Sequence, residues 1–140
     1  LARASLEEIR SCGLGFRAER VLETSKILDN GKFNLEDLGK MDYENARQEL
    51  LSLPGVGQKV ADCVLLFSLD KLEAFPVDIW IKRAILEFYP DYFDHSFIER
   101  VSGKNSITPR EYETISSFGR EYFGKYAGYA QEYLFQSSRM

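Results

Sequence analysis

Lys59 follows a glycine-rich turn directly, and this position could make its amine a nucleophile. The turn reads Pro-Gly-Val-Gly over residues 54–57, and apolar residues with helical spacing continue from Lys59 to Leu69. The positive end of a helix dipole disfavours the ammonium form by about 0.3–1 kcal/mol, and an apolar pocket would have to supply the rest. A partly neutral lysine can form a Schiff base with a sugar aldehyde or attack an anomeric carbon. The alternative is an exposed lysine without chemistry.

Asp78 is the carboxylate that could work beside this lysine. It follows Pro76-Val77 and opens a predicted helix, where aspartate is a preferred N-cap worth about 1 kcal/mol. A carboxylate held at a helix start also suits stabilising a cationic sugar or moving protons. Asp62, three residues after Lys59, is the rival carboxylate, unless it only forms an exposed ion pair.

The turn itself has the form of a helix-hairpin-helix. Gly55 and Gly57 allow a sharp turn and a close approach of another backbone. The backbone amides from Val56 to Lys59 then face outward at the positive end of the second helix, where a phosphate oxygen can bind. A turn between two helices without any ligand is the alternative.

Apolar spacing near 3.6 residues dominates the chain, and strand-like alternation is hard to find. We therefore predict an all-α fold, a bundle of about seven to eight short helices containing the helix-hairpin-helix motif. Residues 91–107 form the least regular stretch. The predicted helices are Ala2–Ser11, Phe16–Leu28, one capped by Asn34 and reaching Leu38, one capped by Asp42 and reaching Leu53, Lys59–Leu69, Ile79–Tyr89, one capped by Thr108 and reaching about Phe123, and Tyr126–Phe135.

Composition excludes several classes of function. The chain has 140 residues, 44% of them hydrophobic and 29% charged, as in one globular domain. Two cysteines cannot build a disulfide scaffold or a four-cysteine zinc or iron–sulfur site, and the single histidine argues against a serine–histidine triad. A net charge of −4 without a basic tract disfavours binding along a long nucleic-acid groove but permits a few phosphate contacts.

Three separated motifs carry a resemblance that covers most of the chain. Residues 53–63, Leu-Pro-Gly-Val-Gly-Gln-Lys-Val-Ala-Asp-Cys, and residues 75–78, Phe-Pro-Val-Asp, resemble the helix-hairpin-helix-GPD DNA glycosylase superfamily, closest to the 8-oxoguanine DNA glycosylase/AP lyases. Residues 13–18 and 126–135 are similar to that family's segments before and after the hairpin. The resemblance implies that Lys59 attacks C1′ of the damaged nucleotide and proceeds through a Schiff base to β-elimination, assisted by Asp78.

The resemblance also implies a pocket for an oxidised base flipped out of the duplex. Cys63 and Phe135 would sandwich the base, Gln131 would contact its Watson–Crick edge, and Pro76 would complete the pocket. The helical spacing is compatible, since Cys63 lies four residues after Lys59 and Phe135 four after Gln131. Each residue could instead serve ordinary packing.

Two further groups of contacts follow from the same resemblance. Phe16 and Arg17 would contact the base opposite the lesion, with a solvated arginine as the alternative. The main-chain carbonyls of Leu51, Leu53 and Val56 would hold a structural monovalent or similar cation that bridges to DNA phosphate. No cofactor is expected for catalysis.

The chain departs from eukaryotic members of the family at two positions. Trp80 stands where they have histidine, and Phe16 stands where they have tyrosine, which puts a histidine–phosphate contact and strict selection for cytosine in doubt. Both differences favour a bacterial or archaeal member. We expect residues 1–140 to be a single catalytic domain, a fragment without an N-terminal region that includes the wedge residue and the base-recognising carbonyl.

The expected partner is double-stranded DNA containing an oxidised purine or an abasic site, bound by a cytoplasmic, nucleoid-associated monomer without membrane contact. Two alternatives remain open. One is a helix-hairpin-helix glycosylase for another lesion, such as thymine glycol or alkylated adenine. The other is a non-catalytic DNA-binding hairpin module, which would need neither Lys59 nor Asp78.

Overall fold

The computed structural model describes residues 1–139, and it is all-helical over that range. The all-α prediction is confirmed. A helical segment at Arg10–Leu14, kinked at Gly13 with a φ of +77°, and two 3-10 turns at Pro90–Tyr92 and Gly124–Tyr126 supplement the α-helices. The α-helices are α1 (Leu6–Ile9), α2 (Arg17–Asp29), α3 (Leu35–Leu38), α4 (Tyr43–Leu51), α5 (Gln58–Leu69), α6 (Ile79–Phe88), α7 (His95–Ser102), α8 (Pro109–Phe123) and α9 (Ala127–Ser138).

Side-chain caps define where several helices begin. Asn34, Asp42 and Asp78 each accept a hydrogen bond from the first turn of their helix, as predicted. Thr108 and Glu111 form a reciprocal capping box at the start of α8. α1 differs from the prediction: it begins at Leu6 rather than Ala2 because Ser5 forms its own capping box.

Helix α7 lies in the stretch that the sequence pattern left irregular. The carbonyl of Val101 in its last turn accepts a 3.0 Å hydrogen bond from the Lys82 ammonium. The same ammonium also donates to the carbonyls of Lys104 and Ser106, and burial lowers the pKa of Lys82. A fully buried lysine therefore holds the end of α7 and the loop behind it, which no local sequence signal indicates.

The chain divides into two compact units, Leu1–Gly57 and Gln58–Met140. The first contains α1 to α4, with buried apolar side chains that include Leu38, Ala46 and Leu50. The second contains α5 to α9 around a core of Phe75, Val77, Ile81, Ile85, Tyr112, Ile115 and Ala127. In the described part of the chain, every helix is too short or too polar to cross a membrane.

Candidate active site

The hairpin turn ends the first unit and rests on helix α2. Gly55 has a φ of +78°, and a Cβ there would collide with the side chain of Arg20, so the position requires glycine. One helical turn after Arg20 on α2, the Thr24 hydroxyl donates a 3.0 Å hydrogen bond to the carbonyl of Pro54. Gly57 is exposed, with open space where a Cβ would lie. The turn therefore packs against α2 on one side, and its backbone at Gly55 and Gly57 is exposed and available to a ligand.

Lys59 lies in the first turn of α5, in the second unit, and its side chain is exposed. The apolar pocket that the sequence analysis required around the amine is therefore not provided by this conformation of the chain. The turn that carries Lys59 is nevertheless anchored at two neighbouring residues. Gln58 Nε2 donates a 3.0 Å hydrogen bond to Glu113, and the hydroxyl of Tyr112 donates to the carboxylate of Asp62.

Asp62 is consequently not an exposed ion-pair partner. Its side chain is fully buried and receives the Tyr112 hydroxyl from α8, 50 residues away in the chain. A buried carboxylate bound in this way supports the fold and cannot reach a substrate at the surface. The structure therefore favours Asp78 over Asp62 as the carboxylate available for chemistry.

Asp78 caps helix α6 and is only partly buried. One of its carboxylate oxygens, Oδ1, accepts a 2.8 Å hydrogen bond from the backbone N–H of Ile81. The preceding residue, Val77, donates its backbone N–H to the Tyr112 hydroxyl at 3.4 Å. The cap fixes the direction of the carboxylate, so the capping function and the predicted chemical function are compatible in one residue.

Cys63 lies on α5, four residues and about one helical turn after Lys59. Burial raises the pKa of the half-buried Cys63 thiol, and the Lys59 ammonium partly lowers it. The carboxylates of Asp62, Asp78 and Glu132 raise the thiol pKa further. Lys59 and Asp78 therefore both lie within electrostatic range of the Cys63 thiol. Glu132 was missed by the sequence analysis, in which it resembles any exposed helical glutamate.

Helix α9 approaches α5 through a glycine. A Cβ on Gly128 would collide with Leu66 of α5, and the Gly128 N–H donates a 2.8 Å hydrogen bond to the carbonyl of Leu72. Three residues after this contact, Gln131 is buried. Its Oε1 atom has no hydrogen-bond partner within residues 1–139. A buried amide oxygen left unpaired is costly, which marks Gln131 as a residue with an unfilled partner position.

The other two predicted pocket residues, Phe135 and Pro76, differ in burial. Phe135 is half-buried against the core of the second unit, with the Arg139 guanidinium 5.2 Å from its ring centroid. Pro76 is fully buried and presents no exposed face in this conformation. Contact of either residue with a base remains a prediction.

The predicted opposite-base residues lie in the first unit at the start of helix α2, where Phe16 is the N-cap residue and Arg17 the first helical residue. Phe16 is 87% exposed, and Arg17 stacks its guanidinium 5.1 Å from the Phe16 ring centroid. Phe16 also lines a depression with Arg10, Gly15 and Glu19. Such an exposed aromatic ring paired with a cation is unusual for a residue with only a packing function.

The predicted cation ligands lie at the end of α4, whose last residue is Leu51, and in the turn behind it. The carbonyl of Leu53 accepts a 3.1 Å hydrogen bond from the N–H of Val56. A carbonyl oxygen has a second lone pair, so this bond leaves Leu53 able to bind a cation. The carbonyls therefore fit the predicted ligand type, and the cation itself remains a proposal.

Comparison with known proteins shows extended similarities, although no family model matches the chain. A protein of Methanothermobacter thermautotrophicus named "Probable N-glycosylase/DNA lyase" is 40% identical over 137 residues, which cover 96% of this chain and 38% of the relative. The N-glycosylase/DNA lyase of Saccharomyces cerevisiae is 31% identical over 151 residues, which cover 96% of this chain and 40% of that protein.

A solved structure is also similar to this chain over nearly its whole length. The 8-oxoguanine glycosylase/lyase of Clostridium acetobutylicum, in complex with DNA containing cytosine opposite 8-oxoguanine, superposes with a TM-score of 0.82 and 36% sequence identity. The match covers 99% of this chain and 42% of that structure. The chain thus spans about two fifths of the length of the relatives that it matches.

A hairpin leading into a lysine-bearing helix, together with similarity over nearly the whole chain, defines the class of this protein. The chain belongs to the helix-hairpin-helix-GPD superfamily of DNA glycosylases. Within that superfamily, its similarities are to the N-glycosylase/DNA lyases of the 8-oxoguanine type.

Proposed function

We propose that this chain is the catalytic part of a base-excision-repair DNA glycosylase/AP lyase that acts on 8-oxoguanine. The observation that carries the proposal is that Lys59 and Asp78 lie on two segments that are both hydrogen-bonded to Tyr112. Both charges also act on the Cys63 thiol. The family relationship supports the reaction class, since the matched relatives are named N-glycosylase/DNA lyases.

The reaction begins with attack of the Lys59 amine on C1′ of the damaged nucleotide, which breaks the bond to the base. The sugar ring then opens to give a Schiff base between Lys59 and C1′. Loss of a proton from C2′ expels the 3′ phosphate and nicks the strand. Asp78 stabilises the positive charge that develops on the sugar and handles protons beside the amine.

Lys59 is exposed in the free chain, so desolvation of its amine has to come from bound DNA. Covering the amine with a sugar and its base would remove water and favour the neutral form that attacks.

The base pocket is proposed around Cys63, Gln131 and Phe135. A neutral thiol and a phenyl ring offer two apolar surfaces to a flipped base, and Gln131 supplies an amide for its Watson–Crick edge. The unpaired Oε1 of Gln131 supports this assignment because a base donor would satisfy it. Pro76 would join the pocket after a local adjustment, since it is buried in the free chain.

The proposed partner is double-stranded DNA, bound by a monomer in the cytoplasm and at the nucleoid. The backbone of Gly55, Val56, Gly57 and Lys59 would bind DNA phosphate. Phe16 and Arg17 would contact the opposite base. The carbonyls of Leu51, Leu53 and Val56 would hold a structural cation that bridges to phosphate and takes no part in bond breaking.

Borohydride trapping tests the proposal. The reagent reduces a Schiff base to a stable protein–DNA adduct, so an abasic-site duplex should give an adduct with the parent chain and none with Lys59→Gln. Lys32→Gln, which changes an exposed lysine elsewhere, is the matched control and should trap like the parent. DNA binding by Lys59→Gln should remain within about threefold of the parent, because the backbone amides are unchanged.

The outcomes separate the candidates. No adduct with the parent chain, with DNA binding intact, would favour the non-catalytic hairpin module. An adduct that persists in Lys59→Gln would show that another amine is the nucleophile. Release of thymine glycol or alkylated adenine in preference to 8-oxoguanine would replace the proposed substrate but keep the mechanism.

A further inference from the structure

Helix α8 contacts both of the segments that carry the predicted catalytic groups. Its Tyr112 hydroxyl donates to Asp62 on α5, three residues after Lys59, and accepts the N–H of Val77, one residue before Asp78. A single oxygen atom therefore links the helix of the lysine to the loop of the aspartate.

The three residues that this oxygen atom joins are all buried. Tyr112 is 4% exposed, and Asp62 and Val77 are 0% and 1% exposed. Because water cannot replace these partners, each hydrogen bond defines the relative position of the groups it joins. The bonds also form a chain in one direction, from the Val77 N–H through the hydroxyl to the carboxylate, in which each bond polarises the next.

Neighbouring residues of α8 reinforce the same two segments. Glu113 accepts a 3.0 Å hydrogen bond from Gln58 at the start of α5. The buried Ser116 hydroxyl donates a 2.9 Å hydrogen bond to the carbonyl of Phe75. Residues 112, 113 and 116 thus hold the turn of Lys59 and the segment before Asp78, although α8 contributes no group to the proposed reaction.

We propose that Tyr112 is a positioning residue, which sets the separation between the Lys59 amine and the Asp78 carboxylate through its bonds to Asp62 and Val77. This inference rests on the proposed function. Attack at C1′ requires the amine and the carboxylate to be placed together, and a misplacement of about 1 Å can reduce a rate about 100-fold.

Tyr112→Phe tests this role because it removes only the hydroxyl. Its effect is measured by borohydride trapping on an abasic-site duplex, first with enzyme at saturation to obtain the rate constant. A second measurement with DNA in excess gives the active fraction. A fold defect lowers the active fraction, whereas a positioning defect lowers the rate constant of the folded molecules.

We expect the Tyr112→Phe rate constant to fall about tenfold, with active fraction and DNA affinity close to those of the parent. The matched control is Ser116→Ala, which removes another buried hydroxyl of α8 and one bond to the same segment, but no bond to α5. A Tyr112→Phe rate constant more than about threefold below that of Ser116→Ala supports the proposal.

A Tyr112→Phe rate constant within about threefold of that of Ser116→Ala would overturn the proposal, as would a loss confined to the active fraction. If Tyr112→Phe does not fold, Asp62→Asn replaces it, because the amide oxygen still accepts the hydroxyl but more weakly. The rate constant of Asp62→Asn is then compared with that of Ser116→Ala, with the same threefold threshold. Absence of any adduct with the parent chain would instead refute the proposed function, so the two failures are distinguishable.

Discussion

At the scale of single residues, the candidate site contains groups that are poorly suited to the free protein. Gln131 buries an amide oxygen without a partner among the described residues, and Lys59 exposes the amine that the reaction requires to be neutral. Both conditions would be relieved by a bound nucleotide. Unsatisfied groups of this kind are typical of binding sites, where stability is given up for function.

Gln131→Met is expected to separate stability from base recognition. Methionine has a similar shape and no buried acceptor, so the free energy of unfolding should stay unchanged or rise by about 1 kcal/mol. Release of 8-oxoguanine should be lost, while trapping on an abasic site should remain. Urea unfolding and the two DNA assays measure this.

Gln136→Met, at an exposed position of the same helix, is the control and should change stability by less than about 0.5 kcal/mol. A clear loss of stability in Gln131→Met would show that the glutamine amide has partners that matter in the free protein.

At the scale of elements, the site depends on how closely α9 approaches α5. Gly128 permits this approach, since a methyl group there would meet Leu66 and the carbonyl of Leu72. The sequence pattern predicts the helix but not the contact. Alanine has the higher helix propensity, so local preference alone would favour it at this position.

Gly128→Ala is therefore expected to destabilise the fold by about 1–3 kcal/mol, because overpacking outweighs the gain in helix propensity. Urea unfolding measures the change. Gly103→Ala is the matched control: it ends α7 with a φ of −78° and has no neighbouring atom within 4 Å of an added Cβ. If Gly128→Ala were as stable as the parent, that result would contradict the close packing of α9 against α5.

At the scale of the whole molecule, the chain covers only part of its relatives. It spans 38% of the Methanothermobacter thermautotrophicus protein and 42% of the Clostridium acetobutylicum structure. The residues proposed for the lysine chemistry all lie in Gln58–Met140, whereas the residues proposed to contact the opposite base lie in Leu1–Gly57.

We expect this chain to trap on an abasic-site duplex at least about tenfold faster than on a duplex with 8-oxoguanine opposite cytosine. An abasic site needs no recognition of a base, so the lyase step should not depend on the base pocket, whereas base removal should. Single-turnover trapping on both duplexes measures the ratio. Equal rates would show that these residues suffice for base recognition.

The sequence by itself determined the helical class, the caps at Asp78 and Thr108 and the glycine at position 55, because these depend on local backbone geometry. It also predicts Lys59 and Asp78 as the reacting pair, and that assignment stays a prediction. Tertiary structure alone decided that Asp62 is buried rather than exposed, that Lys82 supports α7 and that Tyr112 links two segments. The reason is physical: burial and hydrogen-bond partners depend on residues far apart in the chain, 50 positions for Tyr112 and Asp62.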